Sequence, residues 1–343
     1  MRMWRTASAS ASSGSSHLPS GAAITKRKIS AMRFLILGSG GVGGYFGGKL
    51  AYAGLDVTFI ARGAHLEALR RTGLVIKSPD GVIRIPHPQA TDHPESIAPV
   101  DVVLHCVKTY DLDEITRRTI PVLTDQSVII SLQNGIGIEE RIHAILPRGV
   151  VYGGVAYVYS TATAPGEITE SGGPRKIVFG PMDNRRSVQA ENIHRAFHEA
   201  GISAEIPASI QTELWKKFIF ISAVGGITAL TRLTLGEILA VDDTRTLLAD
   251  AMREPELTGR MSGIQLPADM VDSFFETLKR FRNETRSSLY YDLTHGRPLE
   301  IESLSGTVVR LGAQHHVATP IHRTIYAALL PYHQRALRLR SRP

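Results

Sequence analysis

The segment Gly38-Ser39-Gly40-Gly41-Val42-Gly43 follows an apolar run, Arg33 to Leu37, and opens a stretch, Val42 to Ala53, patterned as a helix with small residues on one face. Strand, glycine turn and helix in that order suit a dinucleotide pyrophosphate. Gly38 permits the tight turn, Gly40 lets backbone approach the phosphates, and Gly43 allows close helix–strand packing. The helix N-terminus adds free N–H groups and the positive end of its dipole. The tip of the next strand, Asp56 to Ala61, chooses the dinucleotide. An acid there would bind a ribose 2′-hydroxyl, but this chain reads Phe59-Ile60-Ala61-Arg62. The planar fork of Arg62 can pair with a 2′-phosphate, which points to NADP(H); the alternative is a solvated surface arginine.

Other residues suit proton transfer and substrate binding. Lys108 follows the apolar run Leu104-His105-Cys106-Val107, and Asn134 lies in Gln133-Asn134-Gly135 after another apolar run. Both fall at carboxyl ends of strands, where ligands bind in open α/β sheets, although either reads equally as surface charge or turn. Glu213-Leu214-Trp215-Lys216-Lys217-Phe218 opens an apolar helix. Lys217 begins the row Lys217, Ile221, Gly225 on one face, whereas Lys216 points about 100° away. Desolvation beside a cofactor would favour proton release by Lys217 near neutrality; taken alone, a helix-end lysine more often reaches back to water. Ser287, Ser288 and Asp292 are polar residues in a helical run, Gly296-Arg297-Pro298 is a break, and Glu300 is expected to begin the next helix. By itself Glu300 could serve only the helix dipole and Asp292 only as a cap. His315, His316 and His322 lack a carboxylate or cysteine at ligand spacing, so no metal site is expected.

These residues need a frame. Apolar strands alternate with helices from Met32 onward, with two short β pieces around Pro79-Asp80-Gly81. That argues an α/β fold with an N-terminal Rossmann-like, doubly wound, largely parallel sheet. Gly166-Glu167-Ile168-Thr169 and Lys176 to Gly180 are read as antiparallel edge strands. The β pattern stops near residue 209 and helical periodicity continues to about His333, giving an all-α C-terminal domain. The boundaries expected are a disordered extension over 1–31, an NADP-binding domain over 32–208, a helical substrate and catalytic domain over 209–334, and a basic tail over 335–343.

The net charge of +7 over 343 residues resides in the termini. Residues 1–31 carry five cations and 335–343 carry four, with no acid in either, so the body between them stands at −2. Nucleic acid is therefore not an expected partner. Cys106 is the one cysteine, which fits a reducing, cytoplasmic compartment and reads as a buried thiol. Phe218 to Leu230, the most apolar stretch, is shorter than the roughly twenty residues a bilayer span needs and reads as a buried helix. Residues 1–31 read either as an organelle transit peptide or as an extension upstream of a natural start at Met32; the second is favoured because Met32-Arg33 leads straight into the first strand.

From about Met32 to His333 the chain resembles the ketopantoate reductase (2-dehydropantoate 2-reductase) family. The resemblance rests on the glycine loop, Lys108, Gln133-Asn134-Gly135, Leu214-Trp215-x-Lys217, and Thr285-x-Ser287-Ser288-Leu289-x-x-Asp292 leading through Gly296-Arg297 to Glu300-Ile301. It implies NADPH-dependent reduction of ketopantoate to pantoate, a step of pantothenate biosynthesis, at a cleft between the two domains. It implies Lys217 as general acid, Glu300 as the acid that holds the substrate hydroxyl and positions the lysine, and Ser288 as a substrate-carboxylate contact. Asn134 and Lys108 would lie near nicotinamide and substrate, and Arg62 at the 2′-phosphate. A small 2-oxo acid is the expected partner, with a homodimer as the assembly to test and no membrane.

One departure stands out. Family members commonly carry asparagines four and eight residues after the lysine, where this chain has Ile221 and Gly225. A buried substrate group that loses such a partner forfeits about 1–3 kcal/mol. Reduction of a less polar 2-oxo acid is thus the alternative activity. A non-catalytic NADPH-binding sensor is a second alternative, against which Lys217 and Glu300 argue.

Overall fold

The computed structural model describes residues 32–340. The expected extension over 1–31 and the final residues 341–343 lie outside them. The strands are β1 (Arg33–Leu37), β2 (Asp56–Ile60), β3 (Leu74–Ser78), β4 (Gly81–Ile85), β5 (Gln89–Thr91), β6 (Val102–His105), β7 (Val128–Ser131), β8 (Val150–Tyr157), β9 (Ser160–Ala164), β10 (Glu167–Glu170), β11 (Lys176–Pro181) and β12 (Ser203–Glu205). The first five α-helices are α1 (Gly41–Tyr52), α2 (Gly63–Thr72), α3 (Leu112–Thr119), α4 (Ile138–Ile145) and α5 (Val188–Glu199).

The larger sheet has the order β12-β11-β8-β7-β6-β1-β2-β5. From β5 to β8 every neighbouring pair is parallel. All four residues of β6 and of β7 are buried, as a strand covered on both faces requires. One face packs Ile36, Phe59 and Phe179 under Phe46 of α1 and Phe197 of α5; the other packs Leu35, Val103 and Ile129 under Ile115 of α3 and Ile142 of α4. The strand order reverses at β1, with β2 on one side and β6 on the other, so the crevice for a ligand opens beyond their carboxyl ends.

The expected antiparallel edge strands resolve differently. β11 does run antiparallel to β8, but β12 pairs outside it and takes the edge. β10 joins a separate sheet of order β4-β3-β10-β9, parallel to β3 and antiparallel to β9. This second sheet lies over α1, which explains the helix's composition. A Cβ on Gly47 would lie 2.7 Å from Ile36 and 2.8 Å from Phe59 of the large sheet, while one on Gly48 would lie 2.5 Å from Ile76 of the small sheet. Glycine on both faces lets one helix sit between two sheets.

The remaining helices are α6 (Ile210–Thr231), α7 (Leu235–Ala240), α8 (Asp242–Met261), α9 (Met270–Leu278), α10 (Ser288–Thr294), α11 (Ser305–Gln314) and α12 (Pro320–Arg340). The N-terminus of α6 is fixed by Ser209, whose Oγ accepts from the Thr212 N–H, and by Asn184, whose Oδ1 accepts from the Ile210 N–H at 2.9 Å. Its apolar side carries Phe218, Ile219 and Ile227 into a core shared with Met252, Leu289, Ile325 and Leu329. Two-thirds of its most apolar window is buried inside the protein, although at 22 residues it is longer than the thirteen-residue run counted from sequence and matches a bilayer span in length and composition. Residues 335–340, expected as part of a tail, continue α12, because Ala336 is buried and Arg340 ion-pairs with Asp111 at 2.8 Å.

The two halves meet along an apolar seam of Val155 and Val178 from the sheet and Ile210 and Leu214 from α6. Gly153 makes the approach possible: a Cβ there would lie 2.8 Å from Ile210 and 3.0 Å from Leu214. This close seam sets the first turns of α6 beside the end of β8.

Candidate active site

The glycine loop leaves β1 at Gly38, whose φ of +90° suits glycine and whose missing Cβ would lie 2.9 Å from the Val107 nitrogen. Ser39 anchors the loop to β2, its N–H and Oγ both donating to the Ile60 carbonyl at 3.3 and 3.1 Å. The Cys106 N–H donates to the Leu37 carbonyl at 2.8 Å, which ties in the end of β6. Gly40 is the N-cap of α1, has no capping side chain, and would find no atom within 4 Å of an added Cβ. An open backbone face at an uncapped helix start, with no acid in its first turn, fits a phosphate group. Gly41 differs from its neighbour: an added Cβ would strike the Ser160 carbonyl, so the start of β9 covers it. Arg62 is exposed and caps α2, two residues beyond the carbonyl that holds Ser39.

His65 was missed by sequence reasoning. The Gly166 N–H donates to its Nδ1 at 3.0 Å, tying the small sheet to α2 next to the loop. Its Nε2 is buried, and desolvation holds the ring's pKa below the ordinary histidine value. No local pattern could have flagged it, since the partner lies 101 residues away.

The remaining polar side chains of the site come from both halves of the chain. α6 brings Lys217, half-buried, to the end of β8, where its Nζ donates to the Ala156 carbonyl at 3.0 Å. Desolvation lowers its pKa to about 8, while the Glu300 carboxylate pulls the other way. The Cys106 thiol is itself pushed up to about 12 by burial and stays protonated. Lys216, on the other face, pairs with Glu213 at 2.7 Å.

Lys108, just past β6, reaches across to the helical half. Its Nζ lies 2.9 Å from Glu300 Oε2 and 3.0 Å from Asp292 Oδ2. Burial pulls its pKa down, but the two carboxylates more than offset this and leave it above the ordinary lysine value. Asn134 approaches the same Glu300 oxygen, with its Nδ2 at 3.5 Å. Gln133 Nε2 donates to the Val107 carbonyl at 2.9 Å, so the loops after β6 and β7 hold each other. Thus Lys108, Asn134, Asp292 and Glu300 come together in one cluster, and Lys217 lies within electrostatic reach of Glu300.

Glu300 does not begin a helix. A turn over 301–304 intervenes and α11 starts at Ser305. Pro298 therefore stands well outside the first turn, and Glu300, 5% exposed, points its carboxylate at Lys108 instead of a helix end. Nor do Ser287 and Ser288 lie inside a continuous helix. Ser287 caps α10, accepting from the Tyr290 N–H at 3.0 Å and from Thr228 Oγ1 at 2.7 Å. Ser288, next along, is exposed in the first turn of α10, and the structure gives it no contact with the lysines. Asp292, read in sequence as a possible cap, is 8% exposed and belongs to the charged cluster. On the row beyond Lys217, a Cβ on Gly225 would meet nothing nearer than Leu289 carbons at 3.8 Å.

The site thus combines an open glycine loop, a desolvated lysine and two buried carboxylates. Residues 34–184 match the family described as ketopantoate reductase PanE/ApbA, and residues 209–333 match its C-terminal region. The chain is 32% identical over 303 residues to a Bacillus subtilis (strain 168) protein called uncharacterized oxidoreductase YkpB, covering 88% of this chain and 99% of the other. It is 28% identical to the 2-dehydropantoate 2-reductase of Nostoc sp. (strain PCC 7120 / SAG 25.82 / UTEX 2576), covering 87% and 94%. The crystal structure of a PanE/ApbA family ketopantoate reductase from Ralstonia eutropha JMP134 superposes with a TM-score of 0.81 at 28% identity, covering 89% of this chain and all of that one. With both of its halves matched, the chain belongs to the ketopantoate reductase family of oxidoreductases.

Proposed function

We infer that the chain reduces the carbonyl of a 2-oxo acid with NADPH, and that 2-dehydropantoate, yielding pantoate, is the first substrate to test. The observation that carries this reading is the half-buried Lys217 ammonium at the end of β8, its pKa lowered to about 8 beside Glu300. The open Gly40 face and the α1 N-terminus would hold the pyrophosphate, and Arg62 the 2′-phosphate. A bound nicotinamide supplies hydride. The chain's own part is charge and proton. As hydride reaches the carbonyl carbon, the C=O π pair moves onto oxygen; the Lys217 ammonium stabilises that developing charge and gives it a proton, leaving a neutral amine. Glu300 and Asn134 would orient the resulting hydroxyl. Ser288 would meet the carboxylate, with Lys108 close to substrate and nicotinamide.

Purified chain with NADPH and a panel of 2-oxo acids, followed by nicotinamide absorbance, tests the reading. Lys217→Ala should lower turnover at least a hundredfold, the usual scale of general acid catalysis, while NADPH binding persists. A wild-type chain that binds NADPH and reduces no oxo acid would instead support the sensor alternative.

A second reading has its own support. Ile221 and Gly225 occupy the row beyond Lys217, and Gly225 opens onto Leu289, giving that side apolar walls and spare room. An alkyl 2-oxo acid lacking the 2-dehydropantoate hydroxyl suits that surface. Faster turnover of 2-dehydropantoate than of every alkyl 2-oxo acid tested would count against it.

A further inference from the structure

The charged cluster is unbalanced. Lys108 brings one ammonium, and Asp292 and Glu300 bring two carboxylates. Both hydrogen bonds to Glu300 end on Oε2, from Lys108 at 2.9 Å and Asn134 at 3.5 Å; no donor among the described residues takes Oε1. We propose that Asp292 is a positioning residue for the reduction: by claiming a share of the Lys108 ammonium, it leaves Glu300 with an unclaimed, anionic oxygen available to Lys217 across the cleft. This rests on the reading of Lys217 as proton donor and deepens it.

An ammonium held between two carboxylates cannot neutralise both, so the cluster keeps one net negative charge. Without Asp292 the count becomes one cation and one anion, and Lys108 is free to embrace both Glu300 oxygens. The field that favours the protonated Lys217 would then weaken. The other groups facing the cluster do not replace it. Arg297 reaches Asp292 Oδ1 only at 3.8 Å from a 56% exposed side chain, where water screens it. The Tyr110 phenol is raised by burial and stays neutral. On the Lys217 side, the Cys106 thiol is neutral and Glu213 is spent on Lys216.

Side-chain NMR of lysine-labelled full-length chain reads the Lys217 titration directly, with its signal assigned by its loss in Lys217→Ala. Asp292→Asn should lower the Lys217 midpoint by about one pH unit, the scale of one nearby charge. The alkaline limb of kcat should move by the same amount while the KM for NADPH stays put. Asp292→Glu should restore both, and Asp292→Ser carries the test if the amide disturbs the fold. An unmoved midpoint in a folded, active variant overturns this role alone. Absence of 2-oxo acid turnover in the native chain overturns the functional reading, and this role with it; the titration, needing no substrate, keeps the two failures apart.

Discussion

Lys217 makes the most direct prediction. Desolvation lowers its pKa to about 8, with Glu300 opposing. A proton donor must start protonated, so the forward reduction should decline as pH rises through about 8. The reverse oxidation needs the free amine and should rise over the same interval. Paired pH–rate profiles check this, and a forward rate flat between about pH 7 and 9.5 would remove Lys217 as donor. At the same scale, Gly225 tests specificity. The nearest Leu289 carbons would lie 3.8 Å from an added Cβ, so Gly225→Asn meets no steric barrier at its first atom. The amide should favour 2-dehydropantoate over an analogue lacking its hydroxyl by about tenfold in kcat/KM, or ~1.4 kcal/mol. An unchanged ratio would place the hydroxyl away from this face.

The elements show why some of this was legible in sequence and some was not. The glycine loop is local: strand, turn and helix are contiguous, and Gly38, Gly40 and Gly43 each have a steric signature. Lys217 was readable because a charge at the head of an apolar helix is conspicuous. The small sheet was not, because its central register pairs Val75 with Glu167, and no short-range pattern links the two. Asp292 read as a possible cap because its partner Lys108 lies 184 residues away. Glu300 was expected to begin a helix, but the turn over 301–304 displaced that start to Ser305. α4 carries a further group that only packing reveals. Glu139, in its first turn, is 3% exposed, and its pKa is raised to about 7, chiefly by desolvation and further by Glu140. The folded form thus binds a proton more tightly than the unfolded chain. Its contribution to stability is present below the unfolded value of 4.5 and is lost as pH rises through about 7. Thermal unfolding of Glu139→Gln should show a flatter pH dependence between those values than the native chain; superimposable curves would show that burial leaves this carboxyl unperturbed.

At the scale of the whole molecule, two kinds of contact join the halves. The apolar seam of Val155, Val178, Ile210 and Leu214 fixes one side and is indifferent to pH. The Lys108 cluster joins them at the cleft, and Arg340 adds a brace from α12, paired with Asp111 and lying 5.1 Å over the Tyr110 ring. Burial decides which polar tie matters. The Arg340 side chain is 45% exposed, so its ion pair is screened and Arg340→Ala should lose no more than about 1 kcal/mol. Lys108→Met instead strands Asp292 and Glu300, both nearly buried, without their counter-ion. Breaking a buried pair costs about 3–5 kcal/mol, and the partial exposure of Lys108 brings this to about 1–3. Chemical unfolding of the two variants at about pH 7.5 separates the cases. If Arg340→Ala loses more than Lys108→Met, the cleft cluster is not the polar tie that closes the molecule.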